Sequence, residues 1–583
     1  MTELLSEAEF ASILKQEVED LQGKEGFKEK SDALAFWYGL NVLALSRQDV
    51  KNACRFQGKG EQGMDFFYLD TSRKKIVIGQ AEATENLDPA ATFGSSSIRK
   101  LRSAISALAH PDKIDEGDRI IDAVDDYREF HLQRDGAEKF SVELLAIVSG
   151  RPSGGMVKDA ASFSADLAER PKHELKILDF GRLLEEYCES VDKRPPPDFH
   201  LRIRSDTIKF AGNALVVSVP GEEIRKLVKD NKLALFEKNA RIPLLKGKAN
   251  PEILDQLETE EKRGKFWYLN NGLTVTCRLF RPEDQTLRVF GAQIVNGCQT
   301  AWMISKSKKP LDNVWVLTKV IQTEDHKFAY DIRRATNLQT EITLRDLCSN
   351  DFIQLKLQKS FEQLGYYYER KKDEWKVRKK VRPAMVDQFL NGNADNEKLG
   401  QCFLAFVGKP HEAKDEKREV FGKFRREVFP NTRTARELLL PWLVRRDLRS
   451  AFQVGHRRHG ERKTVRYYVR TVGDLTILAF VGEIVRRKYH IFTQSARASG
   501  ILRMLVERFE DQEAHPEFFS KYDKVIKRVL QATESWAKRR KTAASKKGEE
   551  WDVRELHIGY HNALRDPGIR KAIHKGVASL PAL

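Results

Sequence analysis

Cysteine is scarce. The 583 residues hold six, Cys54, Cys188, Cys277, Cys298, Cys348 and Cys402, with no CxxC pair and no Cys/His cluster. That scatter excludes a structural zinc knot and a disulfide framework, and makes a reducing cytoplasm the expected compartment. Apolar runs are short: none reaches the roughly 18 residues a membrane-spanning helix needs, so no membrane partner is expected. The opening MTELLSEAEFASILKQEVED is acidic and helical in pattern, and no basic segment followed by an apolar core is present to suggest a secretory signal. Proline (19) and glycine (35) are near average, which excludes collagen-like or linker-dominated chains. No GxxxxGK[ST] phosphate loop occurs, which argues against a P-loop ATPase.

Positive charge is abundant. Lys and Arg total 102 against 85 Asp and Glu, a net charge of +17. An excess of this sign makes nucleic acid, DNA or RNA, the expected partner. Three clusters stand out. Lys371, Lys372, Lys376, Arg378, Lys379 and Lys380 run together with Arg382; Arg457, Arg458, Arg462 and Lys463 form a second; Lys538, Arg539, Arg540, Lys541, Lys546 and Lys547 form a third. The first is interleaved with Tyr366, Tyr367, Tyr368 and Trp375, and aromatics beside cations suit stacking on bases, so nucleic-acid contact is expected there. A solvated helix face would carry the same pattern of charge.

Hydrophobic periodicity predicts an α/β multi-domain protein. Residues 1–190 read as a mixed-sheet α/β domain: two helices within 1–50, strands at 64–70 and 75–82 joined by a TSRK turn, helices at SSIRKLRSAISALA and DRIIDAVDDYREFHLQ, and strands at KFSVELLAIVSG and HELKILDF. Three consecutive prolines in VDKRPPPDFH mark a linker. Residues 200–380 read as an α+β domain rich in strands and Asn-Gly turns. Residues 381–583 read as a basic helical domain.

Two places concentrate chemistry. Asp65 begins the first strand of the 64–82 hairpin, and Gln80 and Glu82, at i and i+2 on the second, share one face. A hairpin folds Asp65 back onto them, and oxygen ligands gathered this way suit Mg²⁺, with Asp65 and Glu82 as the metal-binding carboxylates. Bound metal would activate water and neutralise charge on a phosphate. The arrangement resembles the PD-(D/E)xK restriction-endonuclease-like fold in a D…QxK variant. The resemblance implies nuclease chemistry at Asp65, Gln80 and Glu82. Glu82 stands where that pattern has its lysine, and Lys74 or Lys75 in the turn is a candidate replacement cation.

The second place is a set of amide-rich motifs: Asn270, Asn271 and Gly272 in FWYLNNGLTV; Asn296, Gly297, Gln299 and Thr300 in IVNGCQT; Arg333, Asn337 and Gln339 in RRATNLQT. Buried amides must be hydrogen-bonded, so clusters of them imply either interlocked turns or a polar ligand such as a nucleotide. Together with Phe236, Glu237, Asn239 and Arg241 upstream and YYYERK downstream, these motifs closely resemble the AIPR (abortive infection and phage resistance) family over roughly residues 200–380. Cys298 departs from the family's more frequent NGQQT. The resemblance implies bacterial antiphage defence, with a phage-derived trigger or a defence-system protein as a further partner. The NGCQT turn is also similar to the DGQQR turn of ParB/sulfiredoxin-like proteins, with Asn for Asp and Thr for Arg, a change that argues against nucleotide hydrolysis.

The leading expectation is an antiphage effector with a Mg²⁺-dependent nuclease under control of the AIPR segment. The alternative is a non-enzymatic nucleic-acid or nucleotide sensor or scaffold with a degenerate nuclease fold. A homodimer is a further expectation.

Overall fold

The computed structural model describes residues 5–54, 63–71, 73–110, 120–136, 138–170, 172–191, 196–204, 208–210, 212–239, 250–337, 343–381, 383–453, 469, 473–493, 495–549, 551 and 559–583. They form two compact units, one of residues 4–193 with 492–500, the other chiefly of residues 194–491 and 501–583. Among the described residues no helix is long and apolar enough to cross a membrane.

The first unit is built on a four-stranded sheet of order β1-β2-β4-β6. Strands β1 (Phe66–Asp70) and β2 (Lys75–Glu82) form an antiparallel hairpin, with Phe66 opposite Gly79 and Asp70 opposite Lys75. A short β3 (Thr92–Phe93) follows. Strand β4 (Ser141–Val148) then runs parallel to β2, β5 (Arg151–Pro152) pairs with β3, and β6 (His173–Leu178) runs parallel to β4. SVELLAIV on β4 is buried almost throughout, as a central strand covered on both faces requires. On one face Ile76 and Ile78 pack with Ile98, Leu101 and Ile105 of helix Ser96–Ala109 and Met156 and Phe163 of helix Gly154–Ala168. On the other lie helices Glu7–Glu25, Lys30–Asn41 and Phe180–Val191, joined by ring contacts of Phe10 with Trp37, Phe180 and Tyr187. The region expected to hold two helices holds three. Ser46 caps a separate helix, Arg47–Ala53, by accepting from the Asp49 N–H.

The second unit contains a five-stranded sheet and a three-stranded sheet. The three-stranded sheet is β11 (Leu279–Glu283), β12 (Thr286–Phe290) and β7 (Phe199–Arg202), all antiparallel. The larger sheet has the order β13-β10-β14-β9-β8, with β8 (Ile208–Phe210), β9 (Ala214–Pro220), β10 (Leu273–Cys277), β13 (Gln293–Asn296) and β14 (Trp315–Gln322). Among the described residues its only parallel pair is β10 with β14. Residues on both sides of the expected division at 380 lie in this one unit: β15 (Tyr367–Glu369) pairs in parallel with β16 (Asn393–Asp395), and Arg345 pairs with Asp395 at 2.9 Å. The helices that follow pack around Asp474–Tyr489, most of which is buried.

The Asn-Gly steps at 271–272 and 296–297 are not hairpin turns. Gly272 leads from the short helix Phe266–Leu269 into β10, and Gly297 leads from β13 into helix Cys298–Lys306. Both lie in the left-handed region, at φ +72° and +84°. A Cβ at Gly272 would sit 2.0 Å from the Leu317 carbonyl oxygen, and one at Gly297 would sit 2.4 Å from the Gly272 carbonyl oxygen. Strand β14, the Gly272 turn and the Gly297 turn are thus stacked backbone on backbone, which only glycine permits. Gly272→Ala is expected to lose about 2–4 kcal/mol of stability, the range of a forced backbone clash with positive φ, measured by urea denaturation. A loss below about 0.5 kcal/mol would contradict the stacking.

Candidate functional sites: a hairpin carboxylate and a buried charge network

In the first unit, Gly63 sets the entry to β1. Its φ is +86°, and a Cβ there would lie 2.5 Å from the Lys100 carbonyl oxygen. Asp65 follows two residues later, on the same hairpin face as Gln80, since cross-strand neighbours share a face. Asp65 Oδ2 accepts from Gln80 Nε2 at 2.7 Å and from the Ala81 N–H at 2.8 Å. Both side chains are buried, at 4% and 1% exposure. The carboxylate dictates the amide's orientation: Nε2 turns toward Asp65 and Oε1 turns away, where this buried acceptor has no hydrogen-bond partner. Glu82 is half-buried on the same face, two residues further along.

Among the described residues, no group of three or more His, Cys, Asp or Glu side chains could hold a metal ion. What the hairpin offers is two carboxylates and an orphaned amide oxygen. Such a hard-oxygen set fits Mg²⁺, which keeps several waters and takes one or two carboxylates plus substrate phosphate.

Lys74 and Lys75 do not replace the missing lysine. Lys74 pairs with Glu138 at 2.8 Å and Lys75 with Glu143 at 2.7 Å, at the opposite end of β2 from Glu82. Burial alone would raise the Glu143 pKa, but hydrogen bonds and charge from Lys176 and Lys75 outweigh it and hold the carboxyl below its ordinary value. Beyond the carboxyl ends of β2 and β4, the N-termini of helices Ser96–Ala109 and Gly154–Ala168 meet. A Cβ on Gly155 would lie 3.7 Å from Ser153 Oγ and 3.9 Å from Ser95 Oγ. Ser153 caps its helix through the Met156 N–H; Ser95 occupies the cap position but makes no side-chain cap bond.

In the second unit, several of the expected ligand-binding amides are committed to the protein. Asn270 Oδ1 accepts from the Gly272 N–H at 3.0 Å and from Thr300 Oγ1 at 3.2 Å, tying one turn to the helix of the other. Asn296 Nδ2 donates to the Thr336 carbonyl at 2.6 Å, and Asn239 Nδ2 donates to the Ile294 carbonyl at 3.1 Å. Asn239, Asn270, Asn296 and Thr300, expected at a ligand site, thus lock turns together, and Gly272 and Gly297 serve backbone packing. Asn271 is exposed, and Gln299 Oε1 is buried without a partner. Arg241, Gln339 and the side chains of Arg333 and Asn337 lie outside the described residues, as do Arg382 and the whole cluster from Arg457 to Lys463.

The YYYERK motif forms a buried charge network. Arg378 donates to Glu237 at 2.8 Å and to Glu374 at 2.9 Å. Arg370 Nη1 donates to the Ser349 carbonyl at 2.7 Å and to Asn350 Oδ1 at 2.8 Å. Asn350 Nδ2 reaches the Lys238 and Asn239 carbonyls, and Lys371 Nζ donates to the Glu237 carbonyl at 2.6 Å. Lys371 and Arg378 are 1% and 2% exposed. Their expected role in nucleic-acid binding is corrected, because a phosphate could reach them only by breaking this network. Tyr366, Tyr367 and Tyr368 are likewise buried and present no stacking face to solvent. Lys372, Lys376, Lys379 and Lys380 are exposed, Lys376 beside Asp373 and Lys379 over the Trp375 ring.

Sequence reasoning took this cluster for a surface because its cations crowd together. The signal for a buried network was Glu374 four residues before Arg378, on one helix face.

Residues 236–542 match the family described as AIPR protein. No curated protein and no solved structure matches the chain.

The network sets a pH dependence. Glu237 and Glu374 face three cations, Arg370, Lys371 and Arg378. Burial, reinforced by Arg370, pushes the Lys371 pKa from its ordinary 10.5 down to about 7. Burial would raise Glu374, but Arg378, Arg370 and Lys371 outweigh it and bring it to about 2. Between about pH 7 and 10.5 the unfolded chain holds a proton on Lys371 that the folded chain has released. Stability contributed by this group therefore rises with pH across that window, by at most about 1.4 kcal/mol per pH unit. Urea denaturation at pH 7 and pH 9 should show that rise in the wild type and a flatter one in Lys371→Met. Equal slopes in the two proteins would refute the assignment.

Proposed function

Because the chain belongs to the AIPR family, whose match spans more than half its length, we propose that it acts in antiphage defence by abortive infection, as a metal-dependent nuclease controlled by its AIPR segment. Family membership supports the defence role. The nuclease reading rests on one observation: Asp65, the residue before β1, is hydrogen-bonded across the hairpin to Gln80, which leaves a buried amide oxygen without a donor. The order β1-β2-β4-β6, an antiparallel hairpin continued by parallel strands, is compatible with a restriction-endonuclease-like core.

In this reading Asp65, Glu82 and Gln80 Oε1 would hold a divalent ion such as Mg²⁺. Bound there, the ion would supply charge neutralisation at the scissile phosphate and make its water a better nucleophile. The chain's own contribution is orientation. The Gln80 amide and the Ala81 N–H hold one Asp65 oxygen in place, and Gln80 presents its oxygen because its nitrogen is engaged. The paired helix N-termini near Ser95 and Ser153 place positive dipole ends beyond the same strand ends, where a phosphate would be favoured.

A specific observation favours a second reading, a nucleic-acid sensor without cleavage: Glu82 replaces the usual cation, and Lys74 and Lys75 are engaged elsewhere. Incubating the purified chain with plasmid DNA and bulk RNA, with Mg²⁺ or Mn²⁺ and with EDTA, separates the two. Cleavage that EDTA abolishes is expected, with at least about a hundredfold loss in Asp65→Asn, the scale of removing a group that acts in the transition state. Cleavage undiminished in Asp65→Asn would move the active site elsewhere. Binding without cleavage would favour the sensor.

A further inference from the structure

We infer that the cleft where the three-stranded sheet meets the five-stranded one in the second unit binds single-stranded nucleic acid. The cleft has a volume of about 740 Å³ and is lined by Arg278, Leu279, Arg281 and Phe290, with Asn213 and Gln322 on the side of the larger sheet.

The register explains the lining. On β11, β12 and β7 the residues Phe280, Leu287, Val289, Phe199 and Leu201 point into the core, so the alternate residues form the outer face. Across that face Leu279 stands opposite Phe290, and Arg281 stands opposite Arg288, which in turn faces His200.

Like charges directly opposite one another destabilise an antiparallel pair. Arg288 is relieved by Glu283 at 3.0 Å. Arg281 lies over the Phe290 ring, 6.0 Å from its centroid. Neither Arg281 nor Arg278 has a carboxylate partner among the described residues. Two uncompensated guanidinium groups beside an aromatic and an aliphatic surface call for an anion carrying a flat ring, which is a nucleotide. Gln322 Oε1 accepts from the Phe280 N–H at 3.4 Å, so its amide nitrogen faces away from that bond and serves as a donor to a base edge.

The strand is favoured over a free polyphosphate nucleotide by Glu324, a carboxylate on the same lining, which opposes a dense triphosphate charge more than one phosphate per base. A duplex is disfavoured because its bases are stacked inside and cannot meet Phe290.

The test does not depend on cleavage. Fluorescence anisotropy with the full chain in EDTA measures binding of a labelled single-stranded 12-nucleotide DNA, the same sequence as RNA, and the corresponding DNA duplex. Unlabelled 5′-mononucleotides and ATP serve as competitors. Single strands should bind more tightly than the duplex, with mononucleotides and ATP competing only at millimolar concentration. Arg278→Gln/Arg281→Gln should weaken binding by about tenfold or more and reduce the slope of log K against log salt by about 1.4, the release expected for two phosphate contacts on a single strand. Arg278→Lys/Arg281→Lys should restore most of that slope, and Phe290→Ala should weaken binding by about fivefold or more. Unchanged affinity and slope in the Gln variant, preference for the duplex, or competition by ATP at micromolar concentration would each overturn the inference. If the chain fails to cleave in the preceding test yet binds as described here, the nuclease reading falls and this one stands.

Discussion

The second unit depends on the balance of buried charge among Glu237, Glu374, Arg370, Lys371 and Arg378. Two carboxylates, two guanidinium groups and a lysine amine placed out of water are costly unless each has a partner, and removing one partner leaves a buried group uncompensated. The partners come from distant segments: backbone carbonyls at residues 236–239, the Asn350 amide, the Ser349 carbonyl and the start of helix Glu374–Val381. Through Asn239 the network reaches the Ile294 carbonyl on β13, and from there Gly297 and Gly272 continue it as direct backbone contact. The amide-rich and charged motifs between residues 236 and 378 are thus successive parts of one internal scaffold, which accounts for so many charged and amide residues falling in apolar surroundings.

The hairpin of the first unit follows another logic. There Asp65 is buried, and an amide and a backbone N–H donate to its carboxylate. In the second unit the carboxylates of Glu237 and Glu374 lie against the buried guanidinium groups of Arg370 and Arg378. The contrast is why chemistry is assigned to the hairpin and architecture to the network.

Much of the fold was legible in the sequence. The hairpin at 64–82, the strand at 141–148 and the helix at 96–109 follow from alternation and from 3.6-residue spacing, and the side-by-side placement of Asp65 and Gln80 follows from hairpin geometry. Other features were not legible because they depend on tertiary partners. Local sequence reads Asn-Gly as a hairpin turn, whereas the steps at 271–272 and 296–297 are crossings whose glycines are demanded by a neighbouring backbone. Lys371 and Arg378 look like surface cations because burial depends on Glu237, more than a hundred residues away. The paired arginines on β11 and β12 were missed because their adjacency exists only in the register of the sheet.

The pairing of β15 with β16 also bears on how this protein can be taken apart. Asp395 supplies the carboxylate for Arg345, and Asn396 hydrogen-bonds both Gln354 and the Arg370 carbonyl. A fragment ended near residue 380 would keep the motif-bearing strand but strip its neighbour away, leaving an open β edge and a desolvated guanidinium with no counter-ion. A cut in the proline-rich segment near residue 193 keeps the helical carboxy-terminal part with the motifs it completes, but it parts residues 492–500 from the unit they share with residues 4–193.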